Sequence, residues 1–212
     1  MRTSIGIRGA LVFSLSVLAS GCFFHFPEYT WERDELRLEI GADLAGTYSI
    51  VKVGVSSTEY PKSVADNRHA TEQLCAGGVS YGFDSMAIDQ WKTHLAAGDS
   101  MEPHTTIRED GRCDHEIVLK FKDLERLDLA LFPFDLTRVA DRLAVESRAP
   151  SAPAKTESAD EPPKDERPQS MVVHYTGRIL EHNATQEDAQ TGRLTWDFKS
   201  ELRPRFVLDA PR

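Results

Sequence analysis

Cysteine is scarce here, with three among 212 residues, which excludes a disulfide-dense scaffold and any four-cysteine zinc site. Positive charge is short as well: 25 Lys and Arg stand against 34 Asp and Glu, for a net charge of −9. A net-negative chain binds polyanions poorly. Nucleic acid is therefore not an expected partner, nor is an anionic bilayer held through a broad basic patch. Beyond the first twenty or so residues, no apolar run approaches the roughly 18 residues of a spanning helix. The sequence has no Gly-x-Ser-x-Gly elbow, phosphate-binding loop, dinucleotide glycine pattern, Cys-x-x-Cys or His-Glu-x-x-His. Seven histidines are scattered. Asp66 with His69, and Asp114-His115-Glu116, are the only local groupings that suggest ligation. A metal site needs three or four convergent ligands, and neither grouping offers that. No metal, cofactor or enzymatic activity is expected.

What the chain does have begins at its N-terminus. Arg2 and Arg8 form a positive start, Gly9 to Leu18 an apolar core of about ten residues, and Ala19-Ser20-Gly21 a run of small residues before Cys22. The stretch Leu18-Ala19-Ser20-Gly21-Cys22 resembles the lipobox of bacterial lipoprotein precursors. That resemblance implies that 1–21 is a cleaved signal peptide and that Cys22 is acylated. The alternatives are an ordinary secretory signal or an uncleaved anchor. Phe23 stands where an Asp would favour inner-membrane retention in enteric-type bacteria, so the resemblance points to the outer membrane, facing the periplasm. Loss of 1–21 removes two arginines and no acid, leaving the remainder more negative still. With Cys22 acylated, Cys75 and Cys113 remain as an even pair outside the cytoplasm. They read as a disulfide, the alternative being two buried thiols.

Residues 22–33 form a short tether. Phe23, Phe24, Phe26, Tyr29 and Trp31 follow the anchor where a Ser/Gly-rich spacer would be usual. Two readings stand: the rings lie in the headgroup layer, or they pack back onto the domain. The main domain starts at 34. Leu36, Leu38 and Ile40 alternate with polar residues, Gly41 to Gly46 turns, and Tyr48 to Val55 is β-branched and apolar on both faces near Ile50-Val51. The pattern predicts a hairpin whose second strand is central. Residues 61–76 predict a weak helix with Val64, Ala65, Leu74 and Cys75 facing the core, stopped by Gly77-Gly78. Asp84 to Ala97 predicts a clearer one, with Ile88, Trp91 and Leu95 on one face and Trp91 in the core. Residues 103–121 predict a second hairpin, turning at Glu109–Arg112 and placing Cys113 against the end of the Cys75 helix. Phe132-Pro133-Phe134 breaks the chain. Asp135 then reads as an N-cap before Leu136, Val139, Ala140 and Leu143 at helical spacing.

Residues 147–169 change character, with five Pro in 23 positions and no aromatic or large aliphatic residue. Such a segment cannot bury enough apolar surface to offset its ordering entropy and is expected to be disordered. The 43 residues that follow, 170–212, are too few to fold alone with ease, yet are β-patterned. The expectation is that 34–146 and 170–212 form one domain, the latter completing the sheet of the first hairpins, with 147–169 as an insertion. Three strands are predicted: Met171 to Ile179, Leu194 to Phe198, and Arg205 to Leu208. Asn183-Ala184-Thr185 reads as a turn in preference to a glycosylation acceptor.

His174-Tyr175-Thr176-Gly177-Arg178-Ile179, then His182-Asn183-Ala184, then Gly192-Arg193-Leu194-Thr195-Trp196-Asp197-Phe198 resembles the C-terminal signature of LppM-type bacterial lipoproteins. The resemblance covers about 30 residues well and most of the mature chain loosely. It implies an α+β fold, a mainly antiparallel sheet packed against two to three helices. It also implies binding of lipids or lipoglycans in the cell envelope, with no ligand contact transferred to a residue here. The leading expectation is a membrane-anchored envelope lipoprotein with a lipid or other amphipathic ligand. The alternative is an interaction or assembly lipoprotein with a protein partner and no small ligand. The acids Glu32, Asp34, Glu35, Asp123, Glu125 and Asp128 read as solvated edges.

Overall fold

The computed structural model describes residues 28–59, 64–81, 83, 85–128, 131–148, 169–197 and 203–210. Cys22, the aromatics Phe23, Phe24 and Phe26, residues 1–21 read as a signal peptide, and 149–168 of the Pro-rich segment lie outside the described residues.

Alternation of apolar and polar residues sets the architecture. The short β1 (Tyr29–Thr30) leads into β2 (Arg33–Ile40), which pairs antiparallel with β3 (Gly46–Ser57) from Arg33↔Val53 to Ile40↔Gly46. Leu36, Leu38 and Ile40 thereby meet Ile50, Tyr48 and Gly46 on one face. The second hairpin, β4 (Ser100–Ile107) and β5 (Cys113–Phe121), adds on the far side of β3, which is central as its two-faced apolar run predicts. A crossover then brings β8 (Gln169–Tyr175) parallel to β2, and β11 (Arg193–Asp197) and β10 (Gln186–Asp188) extend the edge. The resulting eight-stranded sheet runs β10-β11-β8-β2-β3-β5-β4, with β1 on β3.

The fold is α+β and mainly antiparallel, but it has two sheets. The second comprises β6 (Phe134–Val139), β7 (Arg142–Ser147), β12 (Arg205–Asp209) and β9 (Ile179–His182). This corrects three expectations. Residues 135–146 are a hairpin, not a helix: Leu143 and Val145 are fully buried at a spacing of two, Val139 is 67 % exposed, and Ala140 takes φ +52° in the two-residue turn. The helical spacing of Leu136, Val139, Ala140 and Leu143 is a coincidence of two strands read across their turn. The stretch Met171 to Ile179 is likewise two strands, β8 and β9, in different sheets. The C-terminal strands therefore split between the sheets instead of completing one.

Both sheets contribute to one core. Met171, Val173, Leu194 and Trp196 of the large sheet cluster with Leu143, Val145, Phe206 and Leu208 of the small one. Over the other half of the large sheet lie α1 (Val64–Ala76), a 3-10 turn (Gly78–Tyr81) and α2 (Ser85–Lys92). Leu74 and Cys75 of α1 are buried as predicted, whereas Ala65 is exposed and Ala70 and Thr71 face inward instead. Cys75 and Cys113 form a disulfide, joining α1 to the start of β5 across a separation of 38 residues. Helix α2 stops at Lys92, five residues short of its predicted end.

Candidate functional site

Where α2 meets the large sheet, the core is incompletely filled. The floor is two rungs of the ladder on three adjacent strands. Tyr48 and Ile50 come from β3, Leu119 and Ile117 stand opposite them on β5, and Met101 lies beside Leu119 on β4. Trp91 of α2 forms one wall, and Leu131 and Pro133 the other. The cavity is about 180 Å³ and is partly open to solvent. It is larger than an engineered dry cavity of about 150 Å³ that holds benzene, and below the roughly 300–1,000 Å³ of sites for drug-sized ligands. None of the lining residues is charged.

Sequence determines each wall locally. Floor residues alternate at a spacing of two along their strands. Ser85 to Lys92 is too short for a stable isolated helix, so α2 depends on burial of Ile88 and on the packing of Trp91, and of Leu95 just past its end, against the core. The Leu131–Pro133 wall is tied to the end of α2 by an Asp128 carboxylate 3.1 Å from His94 Nδ1. Its own turn is closed by Leu131 N–H and Phe132 N–H, both donating to Asp128 O. Phe132 is fully buried and packs edge-on against Tyr48, with ring centres 5.3 Å apart.

Tyr48 is the polar feature of the cavity. It is 2 % exposed, and burial pushes its phenol well above the ordinary range, so it stays neutral. No described residue hydrogen-bonds its hydroxyl. Two other buried aromatic tips are satisfied: Tyr175 Oη donates to Asp209 O at 2.5 Å, and Trp196 Nε1 to Asn183 Oδ1 at 2.8 Å.

One rung beyond Ile50, Lys52 Nζ lies 3.7 Å from the Trp31 ring centre, 5.5 Å from that of Phe83, and 3.1 Å from Asp34 Oδ1. Trp31 Nε1 donates to the same carboxylate at 3.0 Å, and its ring packs on Val55, Leu74 and the disulfide. Tyr29 stacks on Trp31 at 6.0 Å and remains 37 % exposed. Successive same-face residues are about 7 Å apart along a strand. The start of the described chain therefore lies beside the cavity.

The acids read as solvated edges are paired, and all but Glu35 keep substantial exposure. Glu32 accepts from Arg108 and Arg112, which hold its carboxyl below the usual range. Glu35 is buried between Arg33 and Arg37; burial opposes its charge, the two arginines outweigh it, and the carboxyl sits low. Glu125 binds Arg138, and Asp123 caps the short turn Leu124–Arg126. The two histidine groupings do not converge. His115 is fully buried, with Nδ1 3.0 Å from Thr105 Oγ1. Asp114, on the other face of β5, accepts from Gly54 N–H. Asp66 and His69 line a shallow polar depression on α1. Among the described residues no group of three or more His, Cys, Asp and Glu is placed to hold a metal.

Sequence reasoning named Trp91 but assigned it to the core, and it passed over Tyr48 and Met101. The available signal was a hydroxyl-bearing ring at the start of the apolar run of the central strand.

No protein-family profile and no curated protein matches the chain. Among solved structures, it is similar to the NMR structure of the folded domain of the Mycobacterium tuberculosis LppM protein. That match has a TM-score of 0.41 and 14 % identity, and spans 89 % of this chain and 94 % of that one. No site residue is transferred from it.

Proposed function

We propose that this chain is a bacterial envelope lipoprotein, anchored through acylated Cys22, whose α+β domain binds an apolar or amphipathic envelope molecule in the cavity under Trp91. It acts by binding and not by catalysis. The observation that carries the reading is the uncharged, half-open cavity between α2 and the β3-β5-β4 floor. Support for the anchor comes from the basic, apolar and small-residue succession ending at Cys22. The tether adds a geometric reason: only six residues separate that cysteine from Tyr29, and Trp31 lies over Lys52, one rung beyond the cavity floor. A domain so tethered holds the cavity close to the bilayer. In this reading Phe23, Phe24, Phe26 and the exposed edge of Tyr29 sit in the headgroup layer of the outer membrane, while Trp31 is held by the domain.

The volume limits what enters. At about 180 Å³ the cavity takes part of one chain or one ring, not a whole two-chain lipid. The test is to purify the full chain from membranes, extract it with organic solvent and identify apolar molecules by mass spectrometry, alongside Met101→Trp, which fills the cavity. A molecule present at near-stoichiometric amount in the wild type and depleted in Met101→Trp supports the reading. Equal content in both proteins contradicts it. An assembly lipoprotein without a small ligand would show no such molecule and a stoichiometric crosslinked protein partner.

A further inference from the structure

We infer that the cavity selects an uncharged apolar molecule carrying a hydrogen-bond acceptor, such as a ketone or ester carbonyl, to which Tyr48 Oη donates. This rests on the binding reading above and adds the chemistry of the occupant.

Three observations carry it. Tyr48 lines the cavity at 2 % exposure, and its hydroxyl has no hydrogen-bond partner among the described residues. Buried tyrosine hydroxyls ordinarily find partners, and here Tyr175 does. Phe132, packed edge-on against the ring, restrains Tyr48 from swinging out to find one elsewhere. Next, the phenol is protonated throughout the physiological range, as an ordinary tyrosine is, and burial moves it further from ionisation. A phenol is a better donor than acceptor, because its oxygen lone pair is delocalised into the ring, so the group it matches best is an acceptor. Finally, the remaining lining is aliphatic, aromatic or thioether, with no cation to balance a carboxylate or phosphate. An ionised head group inside would be desolvated without compensation, so the acceptor is neutral and any charged part stays outside. The small volume adds that one chain or one ring enters.

The test uses the 212-residue chain with Cys22→Ser, which removes the acyl group that would otherwise absorb the probes. The probes are 2-decanone and n-decane. Their affinities are measured calorimetrically and referenced to each probe's own transfer from water to alkane. The ketone should bind at least about fivefold more tightly than the alkane on that scale, the size of one net hydrogen bond. Tyr48→Phe should abolish the preference while leaving n-decane affinity within about twofold, and its unfolding midpoint should be unchanged or higher. Met101→Trp should abolish binding of both. Equal referenced affinities in the wild type, or a preference that survives Tyr48→Phe, would overturn the inference while leaving the binding reading intact. If neither probe binds, or if both bind Met101→Trp unchanged, the binding reading itself falls and the inference with it.

Discussion

Asn183 shows how much one polar side chain does here. Its Oδ1 accepts from Trp196 Nε1 and from Arg205 N–H, both at 2.8 Å, and its Nδ2 donates to Arg203 O at 2.7 Å. It thereby fastens β11 of the large sheet to the entry of β12 in the small one. Asn183→Ala strands a tryptophan N–H and a backbone N–H, so the expected loss is about 2 kcal/mol in urea unfolding of the full chain. A loss under ~0.5 kcal/mol would mean the three bonds are replaced by water. The turn at Asn183 and the strand of Trp196 were legible in the sequence, but their contact was not, because it joins residues brought together only by the second sheet. His115 carries a pH dependence. Burial depresses its pKa below the ordinary 6.5, Asp114 opposing weakly, so the folded state prefers the neutral ring. A lowered folded-state value gives stability that is full above about pH 6.5 and declines as pH falls through that value. Thermal unfolding between pH 7.5 and 5 should show the decline, and His115→Gln should flatten it.

Among elements, the early hairpins were readable because alternation and turn residues agree, and they matched the structure nearly to the residue. The β6–β7 hairpin was not, because Leu136, Val139, Ala140 and Leu143 satisfy helical spacing as well. What decides is the left-handed Ala140, a conformation that no hydrophobic pattern announces. Since alanine pays for φ +52° and glycine does not, Ala140→Gly should stabilise the full chain by roughly 0.5 kcal/mol, read as a higher urea midpoint. A lower midpoint would contradict the turn geometry. Helix α1 was legible with its cysteine, and its hold on β5 is covalent. Loss of the bridge in Cys75→Ala/Cys113→Ala should cost about 2–5 kcal/mol. Trp31 packs on that bridge, so its fluorescence should report the loss. Helix α2 was over-read, since past Lys92 its bonds tighten to i→i−3, from Thr93 N–H, His94 N–H and Leu95 N–H to Gln90 O, Trp91 O and Lys92 O, and the α-helix ends there.

At the scale of the whole molecule, one feature was legible in the sequence and the other emerges only in the structure. The anchor signature ends at Cys22, and the tether reaches the domain next to a cavity whose floor is spread over β3, β5 and β4. No single stretch carries that cavity, so no local pattern could have disclosed it. The anchor has its own test: labelled palmitate should enter the wild-type protein in cells and be absent from Cys22→Ser, and persistent labelling would refute acylation there. The claim that organises the rest is that an apolar chain occupies the space under Trp91. The direct measurement is quenching of Trp91 emission by a bromine-tagged single-chain alkyl probe, titrated into the Cys22→Ser chain. Saturable quenching in the wild type that is lost in Trp91→Phe is the predicted result. Quenching that never saturates, or that persists unchanged in Trp91→Phe, would contradict the account.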